Sequence, residues 1–248
     1  MGFARYRPTS FLAVAVAVAL GLSACSSSTP ASSTTQRSTT SAVPTGNSAP
    51  ALFQQMKANG AAAKSVSVKG TQTNGATASS KAVTAKIDIA GDLAGKNYKA
   101  TVNDGNSVVE LLTVAGKIYK KGDSAYYTKN YSAAAAKALA GRYTVLSTES
   151  AAQMGIPTVG KLLDEIYAAA AGNLTDKVVK TAVNGVPAYL LTSKTNDTKI
   201  YVSADGQTRL LQVVGTKGQK STWDFTQWNA VPAVSAPAAD QLNKMPSK

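Results

Sequence analysis

Within Ala82-Val83-Thr84-Ala85-Lys86-Ile87-Asp88-Ile89-Ala90, apolar and polar side chains alternate from Val83 to Ile89. Successive side chains of a strand point to opposite faces, so Val83, Ala85, Ile87 and Ile89 share one face and Thr84, Lys86 and Asp88 the other. The stretch from Lys96 to Asn103 repeats the pattern, with Tyr98, Ala100 and Val102 against Lys99, Thr101 and Asn103. A one-residue slip between two such strands would invert every side chain. Ile87, Ile89, Tyr98 and Val102 are therefore expected to point inward, and Lys86, Asp88, Lys99 and Thr101 outward.

Working outward, Val66 and Val68 start a strand that Asn74-Gly75 turns. Asp104-Gly105 turns the chain into Ser107 to Val114, which is apolar on both faces: Val108, Leu112 and Val114 against Val109 and Leu111. Ala115-Gly116 leads into Lys117 to Lys121, and Gly122-Asp123 into a further strand at Tyr126-Tyr127-Thr128. The pattern is an antiparallel meander. Its middle strand is buried on both sides, so something covers one face of the sheet.

The expected cover is the helical segment between Tyr131 and Asn173. Ser132 is placed to cap Ala133 to Leu139, a run of strong helix formers. In Val159 to Ala171, residues Val159, Leu162, Leu163, Ile166, Tyr167 and Ala170 follow helical spacing and make one apolar stripe. Asp164 and Glu165 fall on the opposite side, as a solvated helix face rather than an acid/base pair. A second run of strands follows: Lys177 to Val183, Val186 to Thr192, Thr198 to Val202, Arg209 to Val214 and Lys220 to Phe225. Ahead of the first run, Ala51 to Lys64 reads as a helix through Leu52, Phe53 and Met56. The fold class is α+β.

The N-terminal region sets the location. Arg5 and Arg7 precede an apolar run from Phe11 to Leu22, too short for the roughly 20 residues that span a bilayer. Leu22-Ser23-Ala24-Cys25 follows, the lipobox pattern of bacterial lipoproteins, in which the thiol takes a diacylglyceryl group and the chain is cut ahead of it. Cys25 is the single cysteine, so the domain has no disulfide, and lipidation accounts for an unpaired thiol in an exported chain. Residues 1–24 are thus expected to be a signal peptide. Residues 25–50, rich in Ser, Thr, Ala and Pro, are expected to form a disordered tether, because they hold too little apolar surface to offset ordering. Residues 51–230 make the folded domain, and 231–248, rich in Pro and Ala, a loosely packed tail. Lipid-tethered Cys25 would hold the domain outside the cytoplasm, on the cell membrane.

The chain contains no histidine and 13 carboxylates, a poor composition for general-base, metal or Ser-His chemistry. No enzyme, metal or cofactor is expected. The formal charge is +13, but the lysines are scattered singly apart from Lys120-Lys121. With an export signal, this points to a solvated surface and not to nucleic acid. Gly155 to Lys161 has the spacing of a phosphate-binding loop, yet Leu162 stands where a Ser or Thr would hold magnesium. It reads as a loop entering a core helix. Trp223, Phe225 and Trp228 could stack sugars, but such a cluster is more often core.

In three phrases the chain resembles the mycobacterial lipoproteins of the LppX/LprG type: Val108 to Tyr119 (VVELLTVAGKIY), Asn184 to Leu191 (NGVPAYLL) and Lys199 to Val213 (KIYVSADGQTRLLQV). The resemblance runs from about Ala51 to Trp228. It implies a strongly curved antiparallel sheet, a half-barrel like that of the lipoprotein carrier LolA, with helices in its concave face. It also implies an apolar cavity for the acyl chains of lipids or glycolipids, in a monomer that binds or moves lipids. The residues expected to line that cavity are Leu162, Leu163 and Ile166 on the helix. Ile87, Ile89, Tyr98, Val102 and Leu112 are expected opposite them on the strands. The same apolar faces could equally close into a solid core, making an interaction or scaffold lipoprotein of the same fold.

Overall fold

The computed structural model describes residues 48–74, 82–216 and 220–243, with Asn74 described in its backbone alone. The expected signal segment, Cys25, the expected tether up to Asn47 and Gly75 of the turn expected at Asn74-Gly75 lie outside these residues. The first meander comprises β1 (Ser65–Asn74), β2 (Val83–Asp92), β3 (Asn97–Asn103), β4 (Val108–Val114) and β5 (Lys117–Gly122), and ends in the short β6 (Thr144–Leu146). The second comprises β7 (Val179–Val183), β8 (Val186–Thr192), β9 (Lys199–Ser203), β10 (Leu210–Gly215) and β11 (Lys220–Thr226). The helices are α1 (Ala49–Ala61), α2 (Ser124–Asn130), α3 (Ala133–Leu139), α4 (Thr148–Ala152) and α5 (Val159–Ala170).

All eleven strands form one open sheet in the order β6-β5-β4-β3-β2-β1-β11-β10-β9-β8-β7. Every pairing between neighbours is antiparallel. The two meanders join where β1 pairs with β11, at Val68↔Phe225 and Gly70↔Trp223. The strands β6 and β7, consecutive in the chain, are the opposite edges of the sheet. Laid flat, eleven strands would span about 50 Å at ~4.8 Å spacing. The segment from β6 to β7 bridges the two edges, and on the way α5 packs on the central strands β1 and β2. This topology makes the sheet a half-barrel with a helix laid in its concave face.

The registers agree with the alternation read from the sequence. Ile87 faces Val102, and Ile89 faces Ala100, across β2 and β3. Ile87, Ile89, Tyr98 and Ala100 are buried in one apolar cluster, with Val102 packed against it. The helix side of that cluster comes from α1 (Ala49, Leu52, Phe53, Met56) and α5 (Val159, Leu162, Leu163, Tyr167, Ala170). Gly70 is needed here: a side chain on it would run into the six-membered ring of Trp223, whose indole crosses the β1 backbone at this point.

Three expectations are corrected. Tyr126-Tyr127-Thr128 is helical, within α2. The Asp123 carboxylate accepts from Tyr126 N at 2.7 Å, an N-cap bond, and from Val108 N at 2.9 Å, so it starts the helix where a turn was expected. The helix then lies on β5 through Lys120. This buried lysine holds its ammonium 4.9–5.5 Å from the ring centroids of Tyr126, Tyr127 and Tyr131 and donates to the Tyr131 hydroxyl at 3.0 Å. Three ring faces take the place of a carboxylate partner.

The second correction concerns cover. The concave face is covered chiefly by α1 and α5, whereas α3 buries Ala136 alone and packs on α2. The third concerns the tail, which was expected to pack loosely. Asn97 anchors it with paired bonds, Val234 N to Asn97 Oδ1 at 2.7 Å and Asn97 Nδ2 to Val234 O at 2.9 Å. Leu242 then bridges Tyr143, and Asn243 N bonds Tyr143 O at 2.7 Å. The tail therefore covers the outer face of β4 and β5. Its Val234 and Leu242 close a second cluster around Leu112, Tyr119 and Tyr143.

Candidate functional site

The concave face is the place where the predicted residues can be tested for proximity. Thr158 Oγ1 caps α5 by accepting from Lys161 N at 3.3 Å. The absent side chain of Gly160 lets that first turn come against the Leu93 carbonyl at the end of β2. The loop from Gly155 to Lys161 thus positions a helix, and α4 rather than a strand leads into it. Leu162 and Leu163 are 2 % exposed, and Ile166 is half-buried against the same cluster. Opposite them lie Ile87, Ile89 and Tyr98, buried, and Val102, half-buried. Burial pushes the Tyr98 phenol above its ordinary range, a mark of how dry this face is. Seven of the eight expected lining residues therefore share one apolar interior.

Leu112 does not. It belongs to the outer cluster with Tyr119 and Tyr143, under the tail. Its neighbour Leu111 takes the inward position in β4. Trp223, Phe225 and Trp228 are also not a sugar platform. All three are buried, Phe225 and Trp228 stack at 6.4 Å, and the Trp228 indole donates to Leu210 O at 3.0 Å. Asp164 is exposed and Glu165 half-buried, on the side of α5 away from the apolar stripe. Among the described residues no group of three or more His, Cys, Asp or Glu could hold a metal ion.

Two features were not signalled by the sequence. One is inside: the Tyr167 ring meets Phe53 of α1 edge-on at 6.2 Å, with its hydroxyl against Gly60. The other is outside. Glu110, 8 % exposed, accepts from the Tyr143 hydroxyl and pairs with Lys99 Nζ at 2.6 Å and Lys121 Nζ at 3.4 Å. Burial alone would raise the Glu110 carboxyl. Hydrogen bonds from Lys99 and Tyr143 and the charges of Lys99 and Lys121 outweigh it, so the group sits below the usual carboxylate range. Because Tyr143 also carries the backbone bonds of the tail, this carboxylate helps to hold the tail in place.

Glu110→Gln is accordingly expected to cost about 1–3 kcal/mol in stability, measured by denaturant melts, since it leaves buried donors poorly matched. The effect has a pH signature. A carboxylate with a lowered folded-state value stabilises above its ordinary titration range, and that contribution fades as pH falls through the folded value. The gap between parent and variant should therefore be full at neutral pH and shrink as pH falls below the ordinary carboxylate range.

A shallow recess of about 540 Å³ lies elsewhere, between the β3–β4 turn and α2, lined by Asn106, Ser107, Ser124, Ala125, Thr128 and Lys129. Lys129 is engaged there by Asp104 at 2.8 Å.

No protein-family model matches the chain, and no curated protein matches it in sequence. Among solved structures the chain is similar to LprF from Mycobacterium bovis, at 13 % identity and a TM-score of 0.48, over 78 % of this chain and 100 % of that one. It is also similar to the lipoprotein LppX from Mycobacterium tuberculosis, at 12 % identity and a TM-score of 0.39, over 73 % and 96 %. A LolA superfamily protein from Nitrosomonas europaea aligns at 7 % identity and a TM-score of 0.27, over 80 % and 98 %.

Proposed function

We propose that this chain is an extracytoplasmic lipoprotein, anchored in the cell membrane through lipidated Cys25, that binds acyl chains of lipids or glycolipids between α5 and the concave face of the sheet. The observation that carries the reading is the continuity of that interior. A long amphipathic helix lies across the centre of an open sheet, and the side chains between them are apolar from α1 through β3. Such a surface has affinity for hydrocarbon and little else: each buried methylene contributes about 0.8 kcal/mol, with no orientation demanded. Half-buried Val102 and Ile166, which pack on the cluster without being sealed by it, mark where chains would enter. No helix among the described residues is long and apolar enough to cross a membrane, so the lipid on Cys25 would be the anchor. The role is carriage or storage of lipid, without catalysis.

The alternative, a scaffold with a closed core, is favoured by the low exposure of Leu162, Leu163, Ile87 and Ile89, between 1 % and 5 %. Native mass spectrometry of the mature domain, purified from an actinobacterial host, separates the two. Carriage predicts a bound lipid mass that survives gentle ionisation and is removed by organic extraction. A protein that carries no lipid from the host and takes up none afterwards would leave the scaffold reading.

A further inference from the structure

Between α1 and α5 the interior described above holds a side-chain oxygen with no partner among the described residues. Tyr167 is 4 % exposed, and its hydroxyl has no hydrogen-bond partner among the described residues. A phenylalanine would fill the same ring volume without burying an unmade hydrogen bond, which is always unfavourable. The helix facing it has also been cleared for the hydroxyl. Gly60, in the last turn of α1, presents bare backbone to that oxygen, and any side chain there would collide with it. Gly60 lies within α1, where glycine is a poorer helix former than alanine. Two separate departures from a well-packed core, on two helices, thus meet at one oxygen.

We infer that the Tyr167 hydroxyl is a ligand contact, donating a hydrogen bond to the ester carbonyl of a bound lipid where the acyl chain meets its linkage. This rests on the proposed function and names the chemistry its ligand must carry. Burial, with the nearby Asp164 charge adding to it, pushes the phenol up to about 12, so it remains a protonated donor throughout the physiological range. The acceptor is uncharged because the cluster around the ring is apolar and offers a phosphate or carboxylate no counter-charge. An ester carbonyl fits both demands, since it accepts one hydrogen bond and its chain continues into hydrocarbon.

The test uses the lipid-free mature protein and two probes with the same pair of oleoyl-length chains: an ester-linked diacylglycerol and its ether-linked analogue. Affinity is read by displacement of a fluorescent fatty acid. The parent should prefer the diester, and Tyr167→Phe should weaken the diester about three- to tenfold, the worth of one neutral hydrogen bond, with the diether unchanged. The variant's melting temperature should be equal to or above that of the parent, because the hydroxyl serves no bond in the unliganded fold. Equal loss for both lipids would assign Tyr167 a shape role and overturn the inference. Loss for neither, or a lowered melting temperature, would mean that the hydroxyl serves a water or the fold itself. If the parent binds neither lipid, the carrier reading falls and this one with it. If it binds both and the variant matches it, this inference falls alone.

Discussion

Leu163→Trp is expected to leave the protein folded and to remove most of its lipid uptake. Leu163 is 2 % exposed, on the buried stripe of α5 that faces β1 and β2. In an interior that separates to admit acyl chains, an indole at this position occupies volume that a chain would otherwise take. The protein then loses affinity in proportion to the methylenes it can no longer bury, at about 0.8 kcal/mol each, so excluding three or four of them lowers affinity by roughly a hundredfold. In a filled core the same change overpacks and destabilises by about 1–3 kcal/mol. Ile166→Ala is the complement. In a filled core it costs about 2–5 kcal/mol, as large-to-small changes do. At the half-buried rim of a cavity it costs less than that range and alters the uptake of long chains. Thermal melts and a fluorescent-lipid titration on both variants decide the matter. Two destabilised proteins with parental uptake would defeat the carrier reading.

Why this interior could be anticipated while its outer counterpart could not is a matter of which signals are local. Alternation in β2 and β3 is strict, so one register serves both strands, and Ile87, Ile89 and Tyr98 had a single side to take. The stripe of α5 is equally self-contained, because helical spacing alone brings Leu162, Leu163 and Ile166 to one face. In β4 every position from Val108 to Leu112 except Glu110 is apolar, and alternation divides them into two sets without saying which set faces the helices. The side of Leu112 depends on Tyr119 of β5, on Tyr143 and on Leu242 of the tail, three partners scattered along the chain. The tail was opaque for the same reason. Its hold comes from Asn97 and from the bridge to Tyr143, neither of which leaves a periodic trace in a Pro- and Ala-rich segment. At Tyr126-Tyr127, aromatic β-propensity competed with the capping carboxylate of Asp123, and the cap won. The Tyr167 hydroxyl and Gly60 are legible only in three dimensions. The sequence shows a tyrosine in a helical stripe and a glycine near a helix end, and says nothing of their meeting.

Cys25→Ser is expected to abolish membrane anchoring altogether, the largest change foreseen for any single residue. On the proposed reading the Cys25 thiol is the nucleophile that takes the diacylglyceryl group, and a serine hydroxyl is far less nucleophilic at neutral pH. One acyl chain binds a membrane only marginally and reversibly, whereas two hold it stably, so loss of a diacyl anchor is a change from bound to free and not a matter of degree. The fold should not notice. The described structure begins with Ser48, whose hydroxyl caps α1 by accepting from Ala51 N at 3.3 Å, well downstream of the anchor. If the 22 residues between Cys25 and that cap act as the flexible tether expected from their composition, their root-mean-square reach is about 26 Å. On the proposed reading such a tether would hold the domain at the membrane surface without strain, and lipids leaving the membrane would meet the concave face within that radius. The measurement is detergent-phase partition of the parent and the variant, with the mass of each recording whether the signal was removed. The parent should enter the detergent phase at the mass of a cut, diacylated chain. The variant should appear in the aqueous phase, or remain as an uncut precursor held by its own apolar segment. Its melting temperature, once the signal is cut away, should equal that of the parent. A cut, unacylated variant that still partitions with the parent would show that something other than Cys25 holds the chain to the membrane.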